Sequence, residues 1–226
     1  MNITQAFAGD RKTGAWLLAR HENRFKNWAV PRLPKSVETW HLTLTTILWS
    51  LGNIILAFFA RENLTLLWLV SLMIVLQYIT DLFDGELGRQ RNTGLVKWGF
   101  HMDHFLDYVF LCSMAFVGFM IAPVGLSGWY FALLAILGGY MVNSFLRFAA
   151  TNEFVISRYG IGPTEFRVLL ILINGWIAVM GTVWFEALLP AVVILCFVGL
   201  VINTWEIQQL LWRMDMFAKA ETQSES

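Results

Sequence analysis

Asp81-Leu82-Phe83-Asp84-Gly85-Glu86-Leu87-Gly88-Arg89, followed nine residues later by Gly99-Phe100-His101-Met102-Asp103-His104-Phe105-Leu106-Asp107, is the stretch on which the fold turns. Its four aspartates form two pairs, three apart at Asp81 and Asp84 and four apart at Asp103 and Asp107. Helical residues at those spacings share a face, so each pair reads as two carboxylates pointing the same way. Long apolar runs flank the stretch on both sides. Acids at the ends of membrane helices are costly, and four that converge demand a cation. The connection between the pairs is short enough to make their helices antiparallel neighbours with the acids facing one another. Carboxylate oxygens suit hard divalent ions such as Mg²⁺ or Mn²⁺, whose other positions water or phosphate can fill. Zinc is disfavoured, because no Cys/His cluster accompanies the acids.

Composition agrees with a membrane protein. Of 226 residues, 57% are hydrophobic and 14% charged, too greasy and too sparsely charged for an ordinary soluble domain. The formal net charge is zero, which leaves no global electrostatic case for nucleic acid as a partner. Cys112 and Cys196 both lie inside apolar runs and read as small hydrophobes, with neither a disulfide nor a metal role. The first residues lack the continuous apolar region of a cleavable signal peptide.

Six apolar runs follow Pro34, at about 42–60, 64–80, 105–122, 129–150, 168–185 and 188–205. A spanning helix needs ~20 mainly apolar residues, and only helices or closed barrels satisfy their backbones in lipid. The runs show no strand alternation, so the fold class is an all-α integral membrane protein with six transmembrane helices. Before them, Trp16, Leu17, Arg20, Arg24 and Trp28 recur at helical spacings within a basic segment. That pattern fits an amphipathic interfacial helix and equally a helix packed on the rest of the protein. The expected organisation is an N-terminal segment at 1–37, a six-helix catalytic domain at 38–215 and a tail at 216–226, polar and disordered at its end. Every Lys and Arg but Arg61 falls on one side of this topology. The positive-inside rule then places both termini and the aspartates on the cytoplasmic side.

Gly85, Gly88 and Gly99 beside the acids permit either close approach of a ligand to the backbone or tight helix packing. Arg89, Arg91 and Lys97 offer cations where a phosphate would sit, or simply mark the cytoplasmic face. His101 and His104 flank Asp103 as partners of the acid or as interfacial histidines.

In this order and spacing, Asp81, Asp84, Gly85, Arg89, Gly99, Asp103 and Asp107 resemble the signature of the CDP-alcohol phosphotransferase (CDP-alcohol phosphatidyltransferase) family, integral membrane enzymes of phospholipid synthesis. Two departures stand out. Gly88 replaces the usual alanine, and the gap between Arg89 and Gly99 is one residue longer than the family pattern. Of the Pro-Asn-x-Leu-Thr element that often leads into the first helix, only Leu42-Thr43 is kept. Gly162-Pro163-Thr164-Glu165, entering the fifth run, is similar to a segment found in part of the family and offers Glu165 and Arg167 for acceptor or headgroup binding. For that acid and base, a helix cap with an interfacial charge pair is the structural alternative.

The resemblance implies transfer of a phosphoryl-alcohol group from a CDP-alcohol to an acceptor alcohol, with release of CMP. One of the two substrates would be a membrane lipid, and a CDP-linked headgroup with a diacylglycerol-like acceptor is slightly favoured. It implies two divalent ions on Asp81, Asp84, Asp103 and Asp107, with Asp107 also the general base. It gives Gly85, Gly99 and Arg89 to the nucleotide and phosphates, and makes the chain a homodimer. An ion or metal transporter is the alternative of a different class, but such sites lie near the bilayer midplane in repeated, broken helices.

Overall fold

The computed structural model describes residues 18–154 and 162–224. Its elements are α1 (Ala19–Ala29), a 3₁₀ turn (Val30–Arg32), α2 (Thr39–Ala60), a 3₁₀ turn (Leu64–Leu66), α3 (Leu67–Arg91), α4 (Val96–Ile121), α5 (Ser127–Thr151), α6 (Pro163–Met180) and α7 (Phe185–Ser224). Helices α2 to α7 are each long and apolar enough to cross a membrane. The fold is therefore the expected all-α bundle of six membrane helices.

Helix α2 organises the site end of the bundle. Its buried face is Thr43, Thr46, Ser50, Asn53, Ala57 and Ala60, while Leu48, Leu51, Ile55, Phe58 and Phe59 face outward. A soluble helix would reverse that order. In lipid, apolar side chains lose nothing by facing out, and small or polar ones let helix backbones approach closely. Both α3 and α4 pack extensively along this face of α2 and only marginally against each other. The expected antiparallel neighbours are thus joined through α2. Asn53 bonds Ser113 of α4 at 3.1 Å, and Thr43 bonds Asp84 of α3 at 2.8 Å, so the small polar stripe also fixes register. Helix α6 packs on α3, with Asn174 donating to Ser71 at 3.3 Å. Helices α5 and α7 form a second pair held to the rest mainly through α4.

Element boundaries differ from the apolar runs for physical reasons. Helix α3 carries on past the apolar run to Arg91, and α4 begins at Val96, so all four aspartates lie inside helices. Backbone bonding does not stop where hydrophobicity does. The connection turns through Asn92 (φ 51°) and Gly94 (φ 72°), both at positive φ. Helix α6 starts at Pro163, with Glu165 closing a capping box, and stops at Gly181. Helix α7 covers 40 residues, or ~60 Å at ~1.5 Å per residue, about twice a hydrocarbon core. Residues expected to form a disordered tail from Glu221 are helical through Ser224.

Of the amphipathic N-terminal segment, positions 1–17 lie outside the described residues, Trp16 and Leu17 among them. The described part, α1, packs on the bundle. Phe25 meets Phe83 with ring centroids 5.4 Å apart, and Glu22 accepts hydrogen bonds from Thr164 at 2.9 Å and Tyr78 at 3.4 Å. Val30 is buried against Phe83 and Leu87.

Candidate metal and substrate centre

Asp81 on α3 and Asp103 and Asp107 on α4 each bring one carboxylate oxygen within 4.8 Å of the other two. Three acids from two helices so close together repel strongly in a low-dielectric setting unless cations offset them. All three are partly buried, Asp107 the least so, with 35% of its side chain exposed. The donor set is purely carboxylate, which fits Mg²⁺ or Mn²⁺ better than a metal that prefers nitrogen or sulfur.

Asp84 is placed differently. It is 6% exposed, and its Oδ2 accepts the Thr43 hydroxyl at 2.8 Å. It stands one turn from Asp81 on the same helix but outside the three-carboxylate cluster.

A guanidinium already sits at the cluster. Arg167 of α6 places Nη2 2.6 Å from Asp81 Oδ2 and 3.8 Å from Asp107 Oδ1. Its Nε donates to Gln77 Oε1 at 3.1 Å, and Gln77 Nε2 donates to Asp107 Oδ1 at 3.0 Å. The guanidinium carbon lies 5.4 Å from the centre of the Tyr78 ring, within cation–π range. Arg167 is thus a candidate that the structure brings to the acids. Glu165 is not. Its carboxylate accepts the backbone N–H groups of Gly162 at 2.9 Å and Leu18 at 3.1 Å, so it caps α6 and pins the entry to α1. Two residues apart on a helix, the pair cannot share a face.

The glycines separate into two kinds. Among the described residues, a Cβ on Gly99 would meet nothing within 4 Å, and one on Gly85 would meet only Arg89 Nη1 at 3.6 Å. Packing therefore requires neither glycine. On Gly88 a Cβ would come 3.3 Å from Thr39 Cγ2, so packing accounts for that glycine, with room for alanine if Thr39 shifts slightly.

Arg89 is exposed and paired with Glu86 at 2.8 Å. Arg91 has a structural task. Its guanidinium donates to the backbone carbonyls of Leu33, Pro34, Lys35 and Val37, tying the chain that enters α2 to the end of α3. His104 Nδ1 lies 2.8 Å from the Phe100 carbonyl and 3.7 Å from Asp103 Oδ2, among the rings of Phe100, Phe145 and Phe154. His101 is exposed and stacks on Phe105.

Gln77, Tyr78 and Thr43 are the participants that sequence reasoning passed over. Gln77 did leave a signal, a lone amide four residues before Asp81 in an otherwise apolar run, where a polar group in lipid needs a reason.

A family model described as CDP-alcohol phosphatidyltransferase matches residues 40–212, a span that holds every helix of the bundle in whole or in part. No curated protein and no solved structure matches the chain.

Proposed function

The chain belongs to the CDP-alcohol phosphatidyltransferase family, membrane transferases of phosphate-containing groups, and from that premise we propose that it moves a phosphoryl-alcohol group from a CDP-alcohol to an acceptor alcohol and releases CMP. The observation that carries this reading is the convergence of Asp81, Asp103 and Asp107 at motif positions of two helices. These three, with Asp84 one turn away, would hold divalent ions, two of Mg²⁺ or Mn²⁺ in our reading. Bound there, the ions supply neutralisation of the pyrophosphate and polarisation of the scissile phosphorus–oxygen bond.

The protein's own groups do the rest. Asp107 is the most exposed of the cluster and is oriented by Gln77, which suits a base that must reach an incoming hydroxyl. It takes the proton as the acceptor oxygen bonds to phosphorus, and the bond to the bridging oxygen breaks with its electron pair leaving on CMP. Gly85 and Gly99 leave open backbone against which the nucleotide can lie. Arg89, one turn beyond Gly85 and exposed, is available to a phosphate or to the cytidine. We place the site and both termini on the cytoplasmic side, supported by the one-sided distribution of Lys and Arg.

The test is to incubate the purified chain in detergent with a panel of CDP-alcohols, alcohol acceptors and Mg²⁺ or Mn²⁺, then identify the lipid formed. Stoichiometric CMP and a phospholipid product are expected, and the product says which partner brings the lipid. Absence of CMP across CDP-diacylglycerol and CDP-headgroup donors would refute the reading.

A further inference from the structure

Arg167 sets its guanidinium against the three-carboxylate cluster, in a position hard to reconcile with a loaded site. Nη2 touches Asp81 Oδ2 at 2.6 Å and lies 3.8 Å from Asp107 Oδ1. Asp81 and Asp107 are also two of the three acids that each bring a carboxylate oxygen within 4.8 Å of the other two. A divalent ion takes carboxylate oxygens at about 2.0–2.1 Å, so it would compete with the guanidinium for the same carboxylates. Two cations sharing that space would also repel one another. From these distances we infer that Arg167 and a divalent ion compete for the acids, and that Arg167 gives up Asp81 and Asp107 when the centre is loaded. The inference rests on the reading of the acids as a cation site.

The surroundings are built for such an exchange. Arg167 offsets part of the repulsion among the acids. Gln77 uses both ends of its amide, accepting from Arg167 and donating to Asp107, so it links the guanidinium to the acid it would vacate. Tyr78 offers its ring face to the guanidinium, and on its hydroxyl side stands Glu22 of α1, also held by Thr164. A withdrawn Arg167 thus keeps an aromatic face and gains an acid beyond it. It is a positioning residue by this reasoning, one that sets metal affinity and the arrangement of the empty acids.

The experiment uses the full chain in detergent. Mn²⁺ affinity is read by electron paramagnetic resonance for the wild type, Arg167→Met and Arg167→Lys. A thermal-stability double-mutant cycle between Arg167→Met and Gln77→Leu is run in EDTA and again in saturating Mn²⁺. We expect Arg167→Met to bind Mn²⁺ about tenfold tighter or more, a change of about 1.4 kcal/mol. Arg167→Lys, which keeps the charge, should stay within about threefold of the wild type. The Arg167–Gln77 coupling should be present in EDTA and absent in Mn²⁺. Tighter binding with an unchanged coupling would mean that Arg167 acts from where it stands, and would overturn the exchange. Unchanged affinity in Arg167→Met would overturn it as well. If the wild type binds no Mn²⁺, the cation site itself fails and the inference falls with it. Should Arg167→Met not fold, Arg167→Lys decides: tenfold tighter binding there contradicts a charge-for-charge exchange.

Discussion

Replacing Gly85 with alanine separates a glycine kept for structure from one kept for a ligand. Gly85 lies inside α3, where glycine costs about 0.5–1 kcal/mol relative to alanine. Among the described residues a Cβ there would meet only Arg89 Nη1, at an ordinary 3.6 Å, so no packing penalty offsets the gain. Gly85→Ala should therefore be more stable by about 0.5–1 kcal/mol, which for a chain of this size raises the melting temperature by roughly 1–4 °C. Catalysis should move the other way. A nucleotide lying against this backbone would be pushed out by about the width of a methyl group, and a misplacement of ~1 Å can cost about 100-fold. The assay pairs thermal unfolding in detergent with EDTA and CMP release at saturating Mg²⁺. A lower melting temperature would mean that the glycine is structural after all. A higher one with unimpaired turnover would mean that the nucleotide does not lie there.

Other substitutions probe the frame around the acids. Gly88→Ala restores the residue usual in the family signature. The helical gain should be offset by the 3.3 Å approach to Thr39, leaving stability within about 1 kcal/mol of wild type and turnover within a few-fold. Thr43→Val removes the hydroxyl that donates to the buried Asp84 carboxylate while keeping the side chain's size. It should cost about 1.5–3 kcal/mol in a denaturation series, and Thr43→Ser should recover most of the loss. Arg91→Met removes the donor to four carbonyls around Pro34 and should destabilise by about 2 kcal/mol in the same series, with Mn²⁺ affinity unaltered.

The six spans and the acid pairs were legible because hydrophobic length and helical spacing are local properties. Their boundaries were less so. Helices α3 and α4 carry polar residues for several turns beyond the apolar runs, since helix bonding continues into the interface while hydrophobicity fades. How α3 and α4 meet was not legible either. A short connection suggested direct packing, but the small polar face of α2 lies along both and brings the acids together from there. Glu165 and Arg167 looked like one acid–base pair in sequence. The capping box that starts α6 directs Glu165 back to the backbone, while Arg167 reaches the carboxylate cluster. Gln77 shows how a single polar residue in an apolar run gains meaning only when both of its partners, one of them 90 positions away, are placed.

Metal-dependent CMP release by the wild type and Asp107→Asn, compared at matched folding, tests the assignment of the acids most directly. Asparagine keeps the shape and can still meet Gln77 but cannot take a proton. The wild type should release CMP only with Mg²⁺ or Mn²⁺ and stop in EDTA, while Asp107→Asn should fall by about 100-fold or more. Release by Asp107→Asn at the wild-type rate, or release by the wild type undiminished in EDTA, would contradict the account.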